Sequence, residues 1–202
     1  MPKTINRYDV LISCPSDVGE YVDSIKSAIS RFNSTIGEYK DIVLRTRYWK
    51  DDSFAQSGGK AQELLNKQIV ETSDLAVAVF WTKFGEPTEH YASGTEEEIE
   101  TMISNGKQVF VYFLDKPISP STLNSKEYKK IINFKKKYCG QGIYVTVKDE
   151  IKLESDILDG LTHYFARKIF HSFVVHKDSC IFRFKRVLPQ LSVNVIETKV
   201  LK

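Results

Sequence analysis

The sequence predicts an α/β fold with a doubly wound parallel sheet of about five strands, followed by a C-terminal helix and an extra tail. Two observations support this prediction. Short runs rich in β-branched and aromatic residues alternate with segments whose apolar residues recur at helical spacing. Two of the runs, 75–81 and 108–114, are apolar throughout, which is typical of central strands covered on both faces. The repeating strand–helix order implies parallel pairing with right-handed crossovers.

The individual elements follow from this alternation. Strands are predicted at 8–14, 41–49, 75–81, 108–114 and 142–147, and helices at 17–32, 61–71, 95–104, 125–138 and 150–173. The buried stripe of the last helix is predicted to comprise Ile151, Leu153, Ile157, Leu158, Leu161, Phe165 and Ile169. Residues 1–175 are therefore predicted as one domain. Residues 176–202, which are apolar and basic, are predicted as a C-terminal extension that acts as a docking arm or an edge hairpin.

Composition argues against several classes of protein. The three cysteines are widely spaced, with no Cys-x-x-Cys pair and no histidine cluster, which indicates a reduced protein without a zinc site. No apolar run approaches the ~20 residues of a membrane helix, and the amino terminus does not resemble a signal peptide. We therefore expect a cytoplasmic protein with no membrane partner. The net charge is only +3 and forms no concentrated basic stripe, which argues against a nucleic-acid partner.

Ligands of an open parallel sheet bind beyond the carboxyl ends of its strands, where helix amino termini also point. The loop that follows strand 75–81 is long and contains aromatic, glycine, histidine and acidic residues, as binding loops often do. After the first strand, Ser13, Pro15 and Ser16 are candidates for binding phosphate together with nearby backbone amides. The alternative for Ser16 is an ordinary role as the N-cap of the next helix.

Four carboxylates stand at the start of the helix predicted at 95–104, in the stretch Ser-Gly-Thr-Glu-Glu-Glu-Ile-Glu. One interpretation is structural, because Thr95 and Glu98 match a Thr-x-x-Glu capping box and acidic residues there complement the helix dipole. The other interpretation is chemical, with one carboxylate acting on a ligand. Helical spacing puts both Glu96 and Glu98 beside the buried stripe, so geometry alone leaves the choice between them open.

The region from about 73 to 113 resembles nucleoside 2-deoxyribosyltransferases and their relatives. In that family an Asp opens an apolar strand, a Gly-Thr pair is followed three residues later by Glu, and a Gly-Lys pair starts the next strand. The matching positions in this chain are Asp74, Gly94, Thr95, Glu98, Gly106 and Lys107. The spacing in the family selects Glu98 from the acidic cluster.

The amino-terminal stretch Tyr-Asp-Val-Leu-Ile-Ser-Cys-Pro-Ser-Asp-Val is similar to the opening of Toll/interleukin-1 receptor-like (TIR) domains. These domains share a flavodoxin-like architecture. Taken with Phe-Trp-Thr-Lys-Phe-Gly-Glu-Pro-Thr and the acidic stretch, it resembles the TIR-like domain at the front of many NACHT-type NTPases. This resemblance spans about residues 8–115, and it implies a flavodoxin-like (TIR-like) fold.

Enzymatic TIR domains cleave NAD with a glutamate, so the resemblance implies that Glu98 is the catalytic residue of a nucleotide N-glycosidase. NAD or a related nucleotide would be the substrate, and neither a cofactor nor a metal would be needed. A carboxylate beneath the ribose can act as a nucleophile or stabilise an oxocarbenium-like state. In this family such activity often serves immune or anti-phage defence signalling. We expect a homo-oligomer, or a partner protein that triggers the activity or detects its product.

Residue types and the resemblance together suggest further contacts with the substrate. The candidates are Ser13, Pro15, Ser16, Trp49, Asp74, Trp81, Phe84, Gly94 and Thr95. Asp74 would hold the base, its alternative being a polar strand start. The rings of Trp49, Trp81 and Phe84 could stack on a base, and the alternative for Trp81 is to close the core at a strand end.

Two other functions stay open. The first is a non-catalytic TIR-like module that signals or binds a nucleotide, with the tail and the lysine run 135–137 as interaction surfaces; such a run is otherwise a solvated helix face. The second is a nucleoside deoxyribosyltransferase, although those enzymes usually place an Asp where this chain has Ala92. A cleft shared by Glu98, Trp81 and the loop after the first strand would favour an enzyme or a ligand binder. A Glu98 that caps its helix in bulk water would favour a scaffold.

Overall fold

The computed structural model describes the backbone of residues 3–119, 121 and 123–175, and the side chains of these residues as far as Arg167. Five strands form one sheet: β1 (Asn6–Ser13), β2 (Ile42–Arg47), β3 (Leu75–Phe80), β4 (Gln108–Leu114) and β5 (Tyr144–Val147). Their order is β2-β1-β3-β4-β5, and every neighbouring pair is parallel. The predicted fold class, an α/β fold with a doubly wound parallel sheet of five strands, is confirmed.

The central strand of the sheet is β3, and its sequence explains that position. All six of its residues are buried, because both faces of the strand are covered by helices. The edge strand β5, in contrast, leaves Val145 38% exposed. The apolar runs in the sequence thus correctly placed β3 and β4 inside the sheet, where β1 also lies.

Seven helices connect or follow these strands within the described residues: α1 (Val22–Phe32), α2 (Glu38–Lys40), α3 (Trp49–Asp52), α4 (Ala61–Leu65), α5 (Gly94–Ser104), α6 (Ser125–Tyr138) and α7 (Glu150–Val175). A 3₁₀ segment, Ser16–Tyr21, precedes α1, and π-helical segments follow α1 and α4 at Asn33–Gly37 and Asn66–Val70. The helix predicted at 17–32 is therefore divided, with a tight first turn directly after Pro15. Gly37 is required where the chain turns back to the sheet, since a Cβ there would lie 2.6 Å from the carbonyl oxygen of Ile42.

The helices cover both faces of the sheet. On one face, Phe165 of α7 packs against Tyr8 of β1 and Phe32 of α1, with ring centroids 5.0 and 5.4 Å apart. On the other face, the helical segments after β2, together with α5 and α6, bury a cluster that includes Ile69, Met102 and Phe134. Because α5 follows β3 and α6 follows β4, the amino-terminal ends of both helices lie toward the carboxyl edge of the sheet.

The buried stripe of α7 differs from the predicted one at its start. Leu153, Ile157, Leu161 and Phe165 are buried, as predicted, whereas Leu158 is only half-buried and the side chain of Ile169 lies outside the described residues. Ile151 is 83% exposed, so its predicted burial was wrong. Ile151 lies in the first turn of the helix, two residues before the first buried position, and at about 100° per residue it points away from the sheet. The extension predicted at 176–202 lies outside the described residues. No helix in the described part of the chain is long and apolar enough to cross a membrane.

Candidate functional site

A cavity of about 690 Å³ opens beyond the carboxyl ends of β1 and β3. These two strands are neighbours, and the chain winds from them in opposite directions, to β2 on one side and to β4 on the other. Such a topological switch point is where open parallel sheets bind ligands. The residues that line the cavity are Cys14, Pro15, Ser16, Trp49, Gln62, Leu65, Lys83, Gly85, Glu86, Gly94, Thr95, Glu98, Asn124 and Glu127.

Helix α5 begins with a capping box that does not involve Glu98. The N-cap is Ser93, whose hydroxyl oxygen accepts a hydrogen bond from the amide of Glu96 at 3.0 Å. The carboxylate of Glu96 reaches back to the amide of Ala92 at 3.1 Å, which satisfies a second free donor. The predicted pairing of Thr95 with Glu98 was therefore placed two residues too late. Glu98 is not needed to start the helix.

The three other carboxylates of the acidic stretch have structural partners. Glu96 and Glu100 both pair with the ammonium group of Lys137 on α6, at 3.1 and 2.8 Å. Glu97 accepts a hydrogen bond from the side chain of Asn66 at 2.7 Å. Glu98 alone contacts the end of a central strand, since the hydroxyl of Ser13 donates to its Oε2 atom at 2.5 Å. The geometry thus distinguishes Glu98 from its neighbours.

The surroundings of Glu98 favour its neutral form more than water would. Burial raises the pKa of its carboxyl group from 4.5 to about 7, and the charge of Glu97 acts in the same direction. Hydrogen bonds from Ser13 and Gln62 oppose this rise, because they stabilise the charged form. A carboxyl group with this pKa, in the wall of a cavity, exists in both protonation states near neutral pH.

Beside Glu98 lies a thiol that stays protonated. Cys14 is buried, and burial raises the pKa of its thiol to about 12, with the nearby charge of Glu98 adding to the rise. Tyr48 forms a hydrogen bond with this thiol, and burial likewise raises the pKa of its hydroxyl to about 12. Because the thiolate is the nucleophilic form of cysteine, Cys14 contributes shape and polarity to the cavity and does not supply a nucleophile.

The loop between β3 and α5 forms one wall of the cavity, and two carboxylates hold its backbone. Asp17 Oδ2 accepts hydrogen bonds from the amide and hydroxyl of Thr82, each at 2.8 Å, and from the amide of Lys83 at 2.9 Å. Glu127 Oε2 accepts from the amide of Phe84 at 3.1 Å. The pKa of Glu127 is lowered, chiefly by its hydrogen bond from Lys130 and also by the amides of Phe84 and Gly85. The loop is therefore fixed from two separate helical segments.

Most of the sequence-predicted site residues meet at this cavity. Pro15, Ser16, Trp49, Gly94, Thr95 and Glu98 all line it, and Ser13 reaches it through its hydrogen bond to Glu98. Trp49 is 44% exposed and so presents ring surface to an incoming ligand. The hydroxyl of Ser16 does not cap the 3₁₀ segment, whose N-cap is Pro15.

Three predicted residues lie elsewhere. Asp74 precedes β3 and accepts a hydrogen bond from the amide of Asp9 at 2.8 Å, at the end of the sheet opposite the cavity and about 20 Å from it. Phe84 is 2% exposed and stacks on Phe80 in the core, with ring centroids 5.6 Å apart. Trp81 packs edge-on against Tyr21 at 6.2 Å and lines a smaller cavity. Glu98 thus shares its cleft with the loop after β1 but not with Trp81.

Several cavity residues were not identified from the sequence. Gln62, Asn124 and Glu127 belong to no motif at their positions, and Lys83 lies in the loop after β3 without having been selected as a site residue. Cys14 could have been found, because it lies between Ser13 and Pro15 in the loop selected by the strand-end rule. Among the residues whose side chains are described, no three His, Cys, Asp or Glu side chains are arranged as metal ligands.

Comparison with protein-family models assigns the chain to a family. Residues 16–162 match the family model described as domain of unknown function DUF4062. The chain belongs to the DUF4062 family. The matched region runs from the 3₁₀ segment before α1 into α7, so it contains the whole cavity except the residues at the end of β1. No curated protein matches this DUF4062 chain.

Two solved structures are similar to the DUF4062 chain at low identity. One is the apo form of translation elongation factor SelB from Methanococcus maripaludis, at 12% identity and a TM-score of 0.44, covering 89% of this chain and 38% of that one. The other is homoserine dehydrogenase of S. aureus, at 13% identity and a TM-score of 0.34, covering 72% of this chain and 32% of that one. The DUF4062 chain thus matches well under half the length of either structure.

Proposed function

We propose that this protein is a nucleotide N-glycosidase that cleaves NAD, or a related nucleotide, at the nicotinamide-bearing ribose, with Glu98 as the catalytic carboxylate. The position of Glu98 is the observation that carries the proposal. Its carboxylate is not used for capping, unlike that of Glu96, and it lies in the wall of a cavity of about 690 Å³ beyond the carboxyl ends of β1 and β3. Pockets that bind small molecules and cofactors typically have volumes of about 300–1,000 Å³, and the volume of this cavity falls within that range.

The chemistry needs little beyond this carboxylate. The bond between C1′ of the ribose and the ring nitrogen breaks, and its electron pair neutralises the cationic nicotinamide ring. The ionised carboxylate of Glu98 stabilises the oxocarbenium-like ribose that remains, or bonds to it transiently. Water then adds to C1′ and releases one proton, so the products are nicotinamide and the ribosyl nucleotide. Ser13 holds the carboxylate in place through its hydrogen bond of 2.5 Å.

Other cavity residues supply binding contacts in this proposal. Ser16 and Lys83 lie on the side of the cavity formed by the loops after β1 and β3, where a hydroxyl and an ammonium group can hold phosphate oxygens. Trp49 is the aromatic residue of the cavity lining and can stack on a base. With Trp81 and Phe84 packed elsewhere, the aromatic contact depends on Trp49 alone among the three predicted rings.

The decisive experiment is nicotinamide release from NAD by the purified protein over a series of protein concentrations. Glu98→Gln should abolish release, because the amide keeps the shape of the side chain but carries no charge. Glu96→Gln is the matched control, because glutamine also serves in a capping box. It should retain release. If folded wild-type protein releases no nicotinamide even at concentrations that force assembly, cleavage of NAD is excluded.

The second candidate is a module that binds a nucleotide without cleaving it. The raised pKa of Glu98 favours it, because a neutral carboxyl group donates a hydrogen bond to a ligand but does not stabilise a cation. NAD binding without nicotinamide release would support this candidate. Defence signalling, with a homo-oligomer or a partner protein, is proposed for either function on the family resemblance alone. Transfer between free nucleosides has less support, because position 92, where the transferases usually place an Asp, is an alanine whose side chain cannot protonate a leaving base.

A further inference from the structure

We infer that Gln62 is a positioning residue for Glu98, and that position 94 is a glycine because the side chain of Gln62 occupies the space above it. That Gln62 affects NAD cleavage through Glu98 rests on the proposed function. That Gln62 orients the Glu98 carboxylate does not rest on it, because this contact concerns the protein without ligand.

Helix α4 closely approaches the start of α5. Gln62 of α4 lines the same cavity as Glu98. A Cβ added to Gly94 would lie 2.5 Å from Oε1 of Gln62 and 3.2 Å from its Cδ atom. These separations are below van der Waals contact, so any side chain at position 94 would force Gln62 away. The glycine of the Gly-Thr pair thus makes room for a neighbouring side chain.

The orientation of the Gln62 amide is fixed by a chain of hydrogen bonds. The carboxylate of Glu97 can only accept, so Asn66 must turn its Nδ2 group toward it, at 2.7 Å. The Oδ1 atom of Asn66 then faces Gln62 and accepts from its Nε2 group at 3.0 Å. Gln62 therefore presents its amide nitrogen to this part of the cavity. The second hydrogen on that nitrogen remains to be donated to another acceptor.

The geometry points to Glu98 as that acceptor, because Glu98 lies one helical turn after Gly94 on the same face of α5 and lines the same cavity as Gln62. A hydrogen bond from Gln62 lowers the pKa of the Glu98 carboxyl group, against the larger effect of burial. A donor on the carboxylate favours its charged form and fixes its direction. Ser13 donates to Oε2 of the same group from the opposite element, the end of β1. Glu98 is thus held between one donor from the sheet and one donor from α4.

The test is a titration of the Glu98 carboxyl carbon by ¹³C NMR in the full chain, with Glu98→Gln used to assign the signal. Gln62→Leu removes the donor and should raise the midpoint by about one pH unit, the size expected for one hydrogen bond to a charged group. Gly94→Ala displaces Gln62 and should raise the midpoint in the same direction. Gln68→Leu, the same substitution on the neighbouring π-helical segment, is the matched control and should leave it unchanged.

A double substitution separates displacement of Gln62 from any other effect of Gly94→Ala. In a Gln62→Ser background the short side chain leaves nothing to displace, so Gly94→Ala should then cause no further rise. If Gly94→Ala raises the Glu98 midpoint by the same amount in the Gln62→Ser background as in wild type, the inference is overturned. An unchanged midpoint in folded Gln62→Leu protein would also overturn it. Neither result bears on nicotinamide release. An NAD-cleaving protein with an unmoved midpoint would refute the positioning role alone, and a moved midpoint without cleavage would refute the proposed function alone.

Discussion

Replacement of Glu98 by glutamine should change how the stability of the protein depends on pH. In the folded protein the pKa of this carboxyl group is raised from 4.5 to about 7, mainly by burial. Between these two values the folded chain holds a proton that the unfolded chain has released. The contribution of Glu98 to the free energy of unfolding is therefore complete below the lower value and is lost as the pH rises toward the upper one.

The magnitude follows from the two pKa values. Each pH unit over which one state holds one more proton changes the free energy of unfolding by about 1.4 kcal/mol. From about pH 5 to about pH 8 the wild-type protein should lose about 2.5 kcal/mol that Glu98→Gln does not lose, because the amide does not titrate. Other ionisable groups are common to both proteins and cancel in the comparison.

Urea denaturation of both proteins at each pH measures this quantity directly. The difference in unfolding free energy between Glu98→Gln and wild type should shift in favour of the variant as the pH rises. If this difference changes by less than about 1 kcal/mol between about pH 5 and about pH 8, and the error of the extrapolated free energies is smaller than the discrepancy, Glu98 does not lie in a partly desolvated site. A shift of opposite sign would mean that the donors around this carboxylate outweigh its burial.

Three further predictions concern the framework of the site. Ser93→Ala removes the cap of α5 and should lower the free energy of unfolding by about 1 kcal/mol, measured by urea denaturation; an unchanged value would remove Ser93 as the cap. Phe165→Ala empties a core site between two helices and the sheet and should cost about 3–5 kcal/mol in the same assay, whereas a cost below 1 kcal/mol would show that α7 does not cover the sheet as described. Asp17→Ala leaves the amides of Thr82 and Lys83 without their acceptor, so both should exchange hydrogen faster with solvent; unaltered exchange would show that another group holds the loop.

Much of the fold was predictable because periodicity reports burial. The run at 75–80 could only be a central strand, since a chain segment without polar faces must be covered on both sides. The helix at 125–138 was predicted with the bounds that the structure shows. The start of α1 was less predictable, because Pro15 and the tight turn after it replace the first α-helical turn by a 3₁₀ segment. Local geometry of this kind is not encoded in apolar spacing.

The site was predictable in part. The rule that ligands bind at strand carboxyl ends selected loops that line the cavity, and the family spacing selected Glu98. The capping box was misplaced because two overlapping patterns, Ser93-x-x-Glu96 and Thr95-x-x-Glu98, both fit, and only the helix start at Gly94 separates them. Gln62 could not be found, because its contact with α5 depends on how two helices pack.

Aromatic residues after a strand were the hardest to place. Trp81 and Phe84 both follow β3, and a side chain there can turn toward the cavity or toward the core. Phe84 turns inward because Phe80 and Phe134 offer it stacking partners, at 5.6 and 5.4 Å between ring centroids. Phe134 comes from a distant part of the chain, so residue type alone did not reveal the choice.

The loop between β3 and α5 is held by one carboxylate from each side of the sheet. Asp17 belongs to the segment that leads into α1, and Glu127 belongs to the first turn of α6. The two carboxylates bind the amides of adjacent residues, Lys83 and Phe84, so a shift of one helical layer relative to the other should strain this short stretch of backbone. This part of the cavity wall is therefore tied to the helical segments on both faces of the sheet, and we expect a displacement of either segment to move it.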